Sequence, residues 1–174
     1  GVLRVLTAED VPGERMLGLI RKDWPLMIGE GENTRYIGDV LAGVVAESEK
    51  TAREAVGLIK VDYEVLPAVT NPHLAMQVGC AVVHPGSDGN VLSVSRTGRG
   101  DLTGAEEEST FISRGTYETQ RIEHGYMEPE CAVAYPSEDG IEVLSQGQGV
   151  YEDRSQIAAL LALPEERVRV ILVP

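Results

Sequence analysis

Apolar residues surround a single arginine in Val2-Leu3-Arg4-Val5-Leu6, a spacing that predicts a strand at the start of the chain. An irregular stretch follows from Pro12 to Asn33, holding the sole tryptophan, Trp24, then Pro25 and Gly29-Glu30-Gly31. Residues 40–46 are continuously apolar rather than alternating, which predicts a strand buried on both faces. Ser48 stands where an N-cap belongs, with Glu49 in the first turn facing the positive end of the helix dipole. Ala52, Ala55, Val56 and Ile59 recur at i, i+3, i+4 and i+7 and predict one apolar stripe on a helix over 49–60. Residues 61–66 alternate apolar and polar until Pro67 closes them, so the first half reads as a β-α-β unit.

Residues 71–100 are punctuated by Pro72, Pro85, Gly86, Gly89, Gly98 and Gly100, and Ser87-Asp88-Gly89-Asn90 is turn chemistry. A short strand over 91–95 fits within this stretch. Asp101 is placed to cap a helix running through Glu108, weakened by Gly104 and three successive glutamates. Residues 111–118 and 131–135 read as strands around a polar connection. The turn Ser137-Glu138-Asp139-Gly140 leads into a further strand at 141–144, which predicts a hairpin. Ile157, Leu160 and Leu161 then mark an amphipathic helix, and after Pro164 a last strand covers 168–173. The pattern as a whole is α+β, two small mixed units joined by a glycine- and proline-rich linker, with boundaries at 1–79, 80–100 and 101–174.

Composition narrows the function classes. With 28 acidic and 15 basic side chains among 174 residues, the net charge of −13 repels nucleic acid and anionic membrane surfaces. Cys80 and Cys131 are far apart and form no paired metal spacing, which argues against a disulfide framework or a zinc site and for a reducing cytoplasm. No apolar run approaches the roughly 20 residues a spanning helix needs, and the first residues lack the basic-then-apolar shape of a signal peptide. The opening strand has no lead-in to cover it, so a truncated start is expected.

Few residues offer chemistry. Gln148 lies between Gly147 and Gly149 at a strand end, where a side-chain amide can offer N–H to an anionic or oxo ligand; Gln146 lies two residues away on the same side of an extended segment. His124, with Glu123 and Glu128, carries metal-binding or acid–base chemistry in principle, but matches no metal spacing. A buried histidine and carboxylate bonded to loop backbone is the simpler reading. Arg99-Gly100-Asp101 spells a short adhesion tripeptide and more simply marks a turn whose aspartate begins the next helix. Gly29-Glu30-Gly31 and Gly147-Gln148-Gly149 lack the third glycine of a dinucleotide loop. Glu106-Glu107-Glu108 reads as a solvated face.

The order Thr119-Gln120-Arg121-Ile122-Glu123-His124-Gly125-Tyr126-Met127-Glu128-Pro129, a strand, Ser145-Gln146-Gly147-Gln148-Gly149, a helix, Leu163-Pro164 and a final strand resembles the large, molybdopterin-binding subunit of the molybdenum hydroxylases, the xanthine dehydrogenase and aldehyde oxidase family. Val5-Leu6-Thr7-Ala8-Glu9-Asp10-Val11-Pro12, Arg35-Tyr36-Ile37-Gly38 and Lys60-Val61-Asp62-Tyr63-Glu64-Val65-Leu66-Pro67 resemble its α/β hammerhead domain. The resemblance implies an N-terminally truncated hammerhead over 1–79, a linker over 80–100 and the first part of the molybdopterin-binding domain over 101–174. It also implies oxidation of N-heterocycles or aldehydes with water as the oxygen source. Iron–sulfur and FAD subunits or domains are the implied partners. Gln148 takes the family position that donates a hydrogen bond to an oxo ligand of the molybdenum centre. The family's glycine-rich cofactor loop falls just past Pro174 and its base glutamate far downstream, so no catalytic or metal-ligating residue is expected here. The chain by itself is expected to be inactive and to bind no molybdenum cofactor. The alternative is a non-catalytic scaffold or interaction module of the same fold, which the sequence beyond Pro174 would distinguish.

Overall fold

The computed structural model describes residues 1–127 and 130–173. Its first unit pairs β1 (Val2–Leu6) antiparallel to β4 (Gly43–Ala46), with Val5 opposite Val44 and Leu6 opposite Gly43. Between them the segment expected to be irregular forms a two-residue ladder, β2 (Met16–Leu17) on β3 (Trp24–Pro25). Ile28 is buried beside it and donates its N–H to the Val40 carbonyl at 2.8 Å. The helix α1 (Glu49–Val56) follows and packs on β4 and β1. Its start is as the sequence predicts: the Ser48 hydroxyl accepts the Thr51 N–H at 3.2 Å, satisfying a donor with no partner inside the helix.

Three expectations for this half are corrected. The apolar run at 40–46 is a strand only from Gly43, and Val45 is exposed, because a two-stranded sheet with one helix leaves a face uncovered. The helix ends at Val56 with Gly57 as its C-cap, so Ile59 lies beyond it and is 37% exposed. Residues 61–66 form no strand, and Val65 is 90% exposed. Alternation suits them to a ladder, but they pair with no strand among the described residues, so the β-α-β unit is absent here.

The second unit is a three-stranded sheet in the order β5 (Ala132–Pro136), β6 (Ile141–Ser145), β7 (Val168–Leu172). β5 and β6 form the predicted hairpin, and β7 runs parallel to β6 through the crossover helix α4 (Val150–Leu161). A β-α-β unit thus exists at the C-terminal end. Tyr135, Glu142 and Arg169 sit opposite one another across the three strands. Glu142 accepts from the Tyr135 hydroxyl and from Arg169 Nη1, the latter at 3.0 Å, making a polar row across the sheet. The buried apolar residues of this unit are Val143, Ala158 and Val168; Ile157, Leu160 and Leu161 are half-buried.

Helix α4 ends at Ala162 in the left-handed conformation (φ 52°), and Leu163 N–H returns to the Ala158 carbonyl at 2.9 Å. Two further carbonyls of this last turn are satisfied from the other end of the chain. Gly13 N–H donates to Leu160 O and Glu14 N–H to Ala159 O, each at 2.9 Å.

Between the two units residues 57–131 carry only the short helices α2 (Pro72–Ala75) and α3 (Leu102–Glu108) among the described residues. Asp101 caps α3 as expected, accepting from Thr103 and Gly104 N–H at 3.0 and 3.1 Å. The strands expected at 91–95 and 111–118 are absent, and Phe111 and Tyr117 are 93% and 90% exposed. As at 61–66, the pattern suits a ladder, and none of the described strands pairs with it. The accessible surface totals 15090 Å², against about 8,300 Å² for a compact protein of 18.8 kDa.

Candidate functional site

The junction between β6 and α4 brings the candidate residues together. Ser145 closes β6; its hydroxyl accepts Gly147 N–H at 3.0 Å and donates to Asp153 Oδ2 at 3.1 Å. That pair folds the loop over the first turn of α4. Gly149 is the N-cap and offers no side chain, while Glu152 and Asp153 supply carboxylates complementary to the helix end. The glycines leave room for those carboxylates. A Cβ on Gly147 would lie 2.7 Å from Asp153 Oδ2, and one on Gly149 would lie 2.9 Å from Glu152 Oε2.

The two glutamines differ in commitment. Gln146 Oε1 accepts the Cys131 N–H at 3.1 Å, with the Cys131 thiol at 3.7 Å, and so stitches the start of β5 to the end of β6. Gln148 is exposed, and its amide makes no hydrogen bond among the described residues. A free amide held at a rigid strand–helix junction can donate to an oxo or anionic group and accept from a substrate N–H. The helix end itself is not a free anion site, since Glu152 and Asp153 already occupy its field. Chemically the junction fits one directional contact to an oxygen-bearing group.

The other candidates lie apart. His124 is exposed rather than buried, its ring stacked on Tyr126 with centroids 5.6 Å apart, and its backbone N–H, not its imidazole, donates to Glu123 Oε1 at 3.0 Å. Glu128, which the sequence groups with it, is outside the described residues, as are Pro129 and Pro174. Among the described residues no cluster of three His, Cys, Asp or Glu side chains is placed to hold a metal. Nor is any helix among the described residues long and apolar enough to cross a membrane. Glu106 pairs with Arg114 at 2.9 Å on an exposed face, and both cysteines are free thiols.

Sequence reasoning missed the pairing that organises Gly29-Glu30-Gly31. Arg15 donates to both Glu32 oxygens at 2.6 and 2.5 Å and to the Met27 carbonyl at 2.9 Å. Gly29 N–H also donates to Glu32, at 2.8 Å. The Arg15 guanidinium, with that N–H, holds the Glu32 carboxyl down at about 2. Seventeen residues separate the two charges, a distance at which no periodicity signals a pair.

Residues 83–173 match the family described as the molybdopterin cofactor-binding domain. The chain belongs to that family. Residues 1–67 match the a/b hammerhead domain of aldehyde oxidase and xanthine dehydrogenase. Over its whole length the chain is 36% identical to a probable xanthine dehydrogenase subunit of Bacillus subtilis, and 98% of it is 31% identical to the nicotinate dehydrogenase large molybdopterin subunit of Eubacterium barkeri. It spans 23% of the first relative and 40% of the second. The solved aldehyde oxidoreductase from Desulfovibrio gigas superposes on 99% of the chain with a TM-score of 0.88 at 30% identity, the match covering 20% of that protein. The α+β architecture is therefore that of the molybdopterin-binding family.

Proposed function

We propose that the chain is a section of a molybdenum hydroxylase large subunit, with an α/β hammerhead over 1–79, a linker over 80–100 and the first part of the molybdopterin-binding domain over 101–174. In this reading the whole enzyme oxidises N-heterocycles or aldehydes in the cytoplasm and passes electrons to iron–sulfur and FAD partners. Relatives named for xanthine, nicotinate and aldehyde support that substrate class. When bound, the molybdenum cofactor supplies the redox chemistry that hydroxylates a carbon with oxygen from water. The residue of this chain assigned to it is Gln148, whose amide would donate to an oxygen of the centre and hold it in one orientation. No residue of the chain is assigned a catalytic role. The supporting observation is the contrast at the junction: both glutamines are exposed, but Gln146 Oε1 accepts the Cys131 N–H, which turns that side chain toward β5, whereas neither end of the Gln148 amide is bonded among the described residues.

The test is Gln148→Ala in the full-length enzyme. An exposed amide between two glycines contributes little packing, so the melting temperature should stay within the equivalent of about 0.5 kcal/mol. Loss of a preorganised donor beside developing charge should lower turnover on the order of 10²–10³-fold. Gln146→Ala should disturb the β5–β6 edge more than the rate. Unchanged turnover in a Gln148→Ala enzyme with full cofactor content would refute the assignment, and absence of any oxidoreductase activity in the full-length protein would favour a scaffold of the same fold.

A further inference from the structure

Three hydrogen bonds tie the segment after β1 to α4, across nearly the whole length of the chain. Two are the Gly13 and Glu14 N–H bonds to the last turn, and the third is Gly18 N–H to Gln156 Oε1 at 3.1 Å. Gln156 Nε2 then donates to the Glu152 carbonyl at 3.3 Å, one turn nearer the helix start. In that first turn Asp153 N–H donates to the Gly149 carbonyl at 2.8 Å, and Asp153 Oδ2 accepts from the Ser145 hydroxyl that holds Gly147 N–H. A continuous series of contacts therefore runs from 13–18, along α4, to the glycines that flank Gln148.

The approach at Gly13 is close. A Cβ there would fall 2.0 Å from Ala159 O and 2.8 Å from both Leu160 O and Ala162 N, all backbone atoms of the helix end. Only glycine allows the segment this near. Ala158 is the one fully buried residue of α4 and is small, with Ile157, Leu160 and Leu161 only half-buried, so side-chain packing leaves some freedom for sliding along the axis. Directional bonds at the far end resist it strongly. Because α4 is about 18 Å long and stiff, an axial displacement at its last turn is carried to its first.

We propose that residues 13–18 are a positioning strap for the 146–149 loop, setting the axial position of α4 and through it the direction of the Gln148 amide. The link to loop order stands on the contacts alone. The link to turnover rests on the function proposed above.

Two variants separate a positioning role from a merely structural one. Gln156→Met removes both the acceptor for Gly18 N–H and the donor to the Glu152 carbonyl, whereas Gln156→Glu keeps the acceptor that fixes the axial position of α4 and loses only the donor within the helix. In the chain, exchange of the Gly147 amide should speed up roughly fivefold to tenfold in Gln156→Met and stay at the original rate in Gln156→Glu, while Val143 in the sheet is unchanged in both. Unaltered Gly147 exchange in Gln156→Met, or equal acceleration of Gly147 and Val143, overturns the strap. In the full-length, cofactor-loaded enzyme Gln156→Met should lower kcat with KM unchanged, with Gln156→Glu restoring it. If Gln148→Ala lowers turnover and Gln156→Met does not, the strap has no part in the reaction. If Gln148→Ala itself is silent, the functional reading fails, and the exchange result still decides whether the strap orders the loop. Gly13→Ala adds a third variant where it folds; should it not, the Gln156 pair decides.

Discussion

Gly140→Ala tests whether the C-terminal sheet is packed as described. Gly140 ends the turn between β5 and β6, where Ser137 N–H donates to its carbonyl at 3.0 Å. Its backbone is not in the left-handed region, so alanine brings no intrinsic conformational penalty. The cost comes from space: an added Cβ would lie 1.8 Å from Arg167 O and within 2.9 Å of Arg167 C and Cα. Those are backbone atoms one residue before β7, and Arg167 Nε is itself bonded to the Asp139 carbonyl at 2.5 Å. Relief requires parting β6 and β7 where Ile141 pairs with Val168, a buried position. Overpacking of this kind costs typically about 1–3 kcal/mol, and a clash with backbone belongs at the upper end. For a chain of this length that is a fall in Tm of roughly 6–12 °C. Gly98→Ala is the control, since a Cβ at Gly98 meets nothing within 4 Å; its effect should stay within about 0.5 kcal/mol. Thermal unfolding followed by far-ultraviolet circular dichroism reads both. Equal melting of the two variants would show that β7 does not approach the turn as described.

Ala162→Gly should stabilise the chain by roughly 1 kcal/mol or somewhat less, because it relieves a left-handed alanine at the end of α4; a higher urea midpoint checks this. Glu32 has a folded-state pKa of about 2, below its ordinary 4.5, so its contribution is fully present above about 4.5 and is lost as pH falls through about 2. With 42% of the Glu32 side chain exposed, solvent screening keeps that contribution near or below about 1 kcal/mol. The stability difference between the original chain and Glu32→Gln should therefore shrink across that acid window and be constant at neutral pH. Ile59→Ala, read from the sequence as a buried helix position, would cost about 2–5 kcal/mol. Its place beyond α1 lowers the expectation to about 1 kcal/mol, measurable against Lys50→Ala by denaturant unfolding.

Legibility in the sequence followed the range of the interactions involved. Ser48 and Asp101 announce their helices because a cap and the amides it satisfies lie within three residues of each other. The β5–β6 hairpin announces itself through its turn, and α4 and β7 through periodicity on either side of Pro164. Residues 61–66 and 111–118 carry equally clear alternation and form no strands, since alternation states which face a strand would bury but not whether a neighbour exists. At the candidate site the Gly-Gln-Gly spacing identified the loop. The spacing did not tell Gln146 from Gln148 physically, because the distinction rests on Cys131, fifteen residues upstream. The strap from residues 13–18 to α4 left no signal, since two of its bonds join backbone groups and the third joins Gly18 N–H to Gln156, 138 residues away.

The large exposed surface has a thermodynamic consequence. An unfolded chain of 18.8 kDa exposes about 27,000 Å², so folding to 15090 Å² buries about 12,000 Å², where a compact protein of this mass would bury about 19,000 Å². Denaturant m-values and the heat-capacity change of unfolding both scale with that area. Both should be about two-thirds of what 174 residues normally give, and the unfolding curve correspondingly shallow, as though a shorter protein were melting inside a longer one.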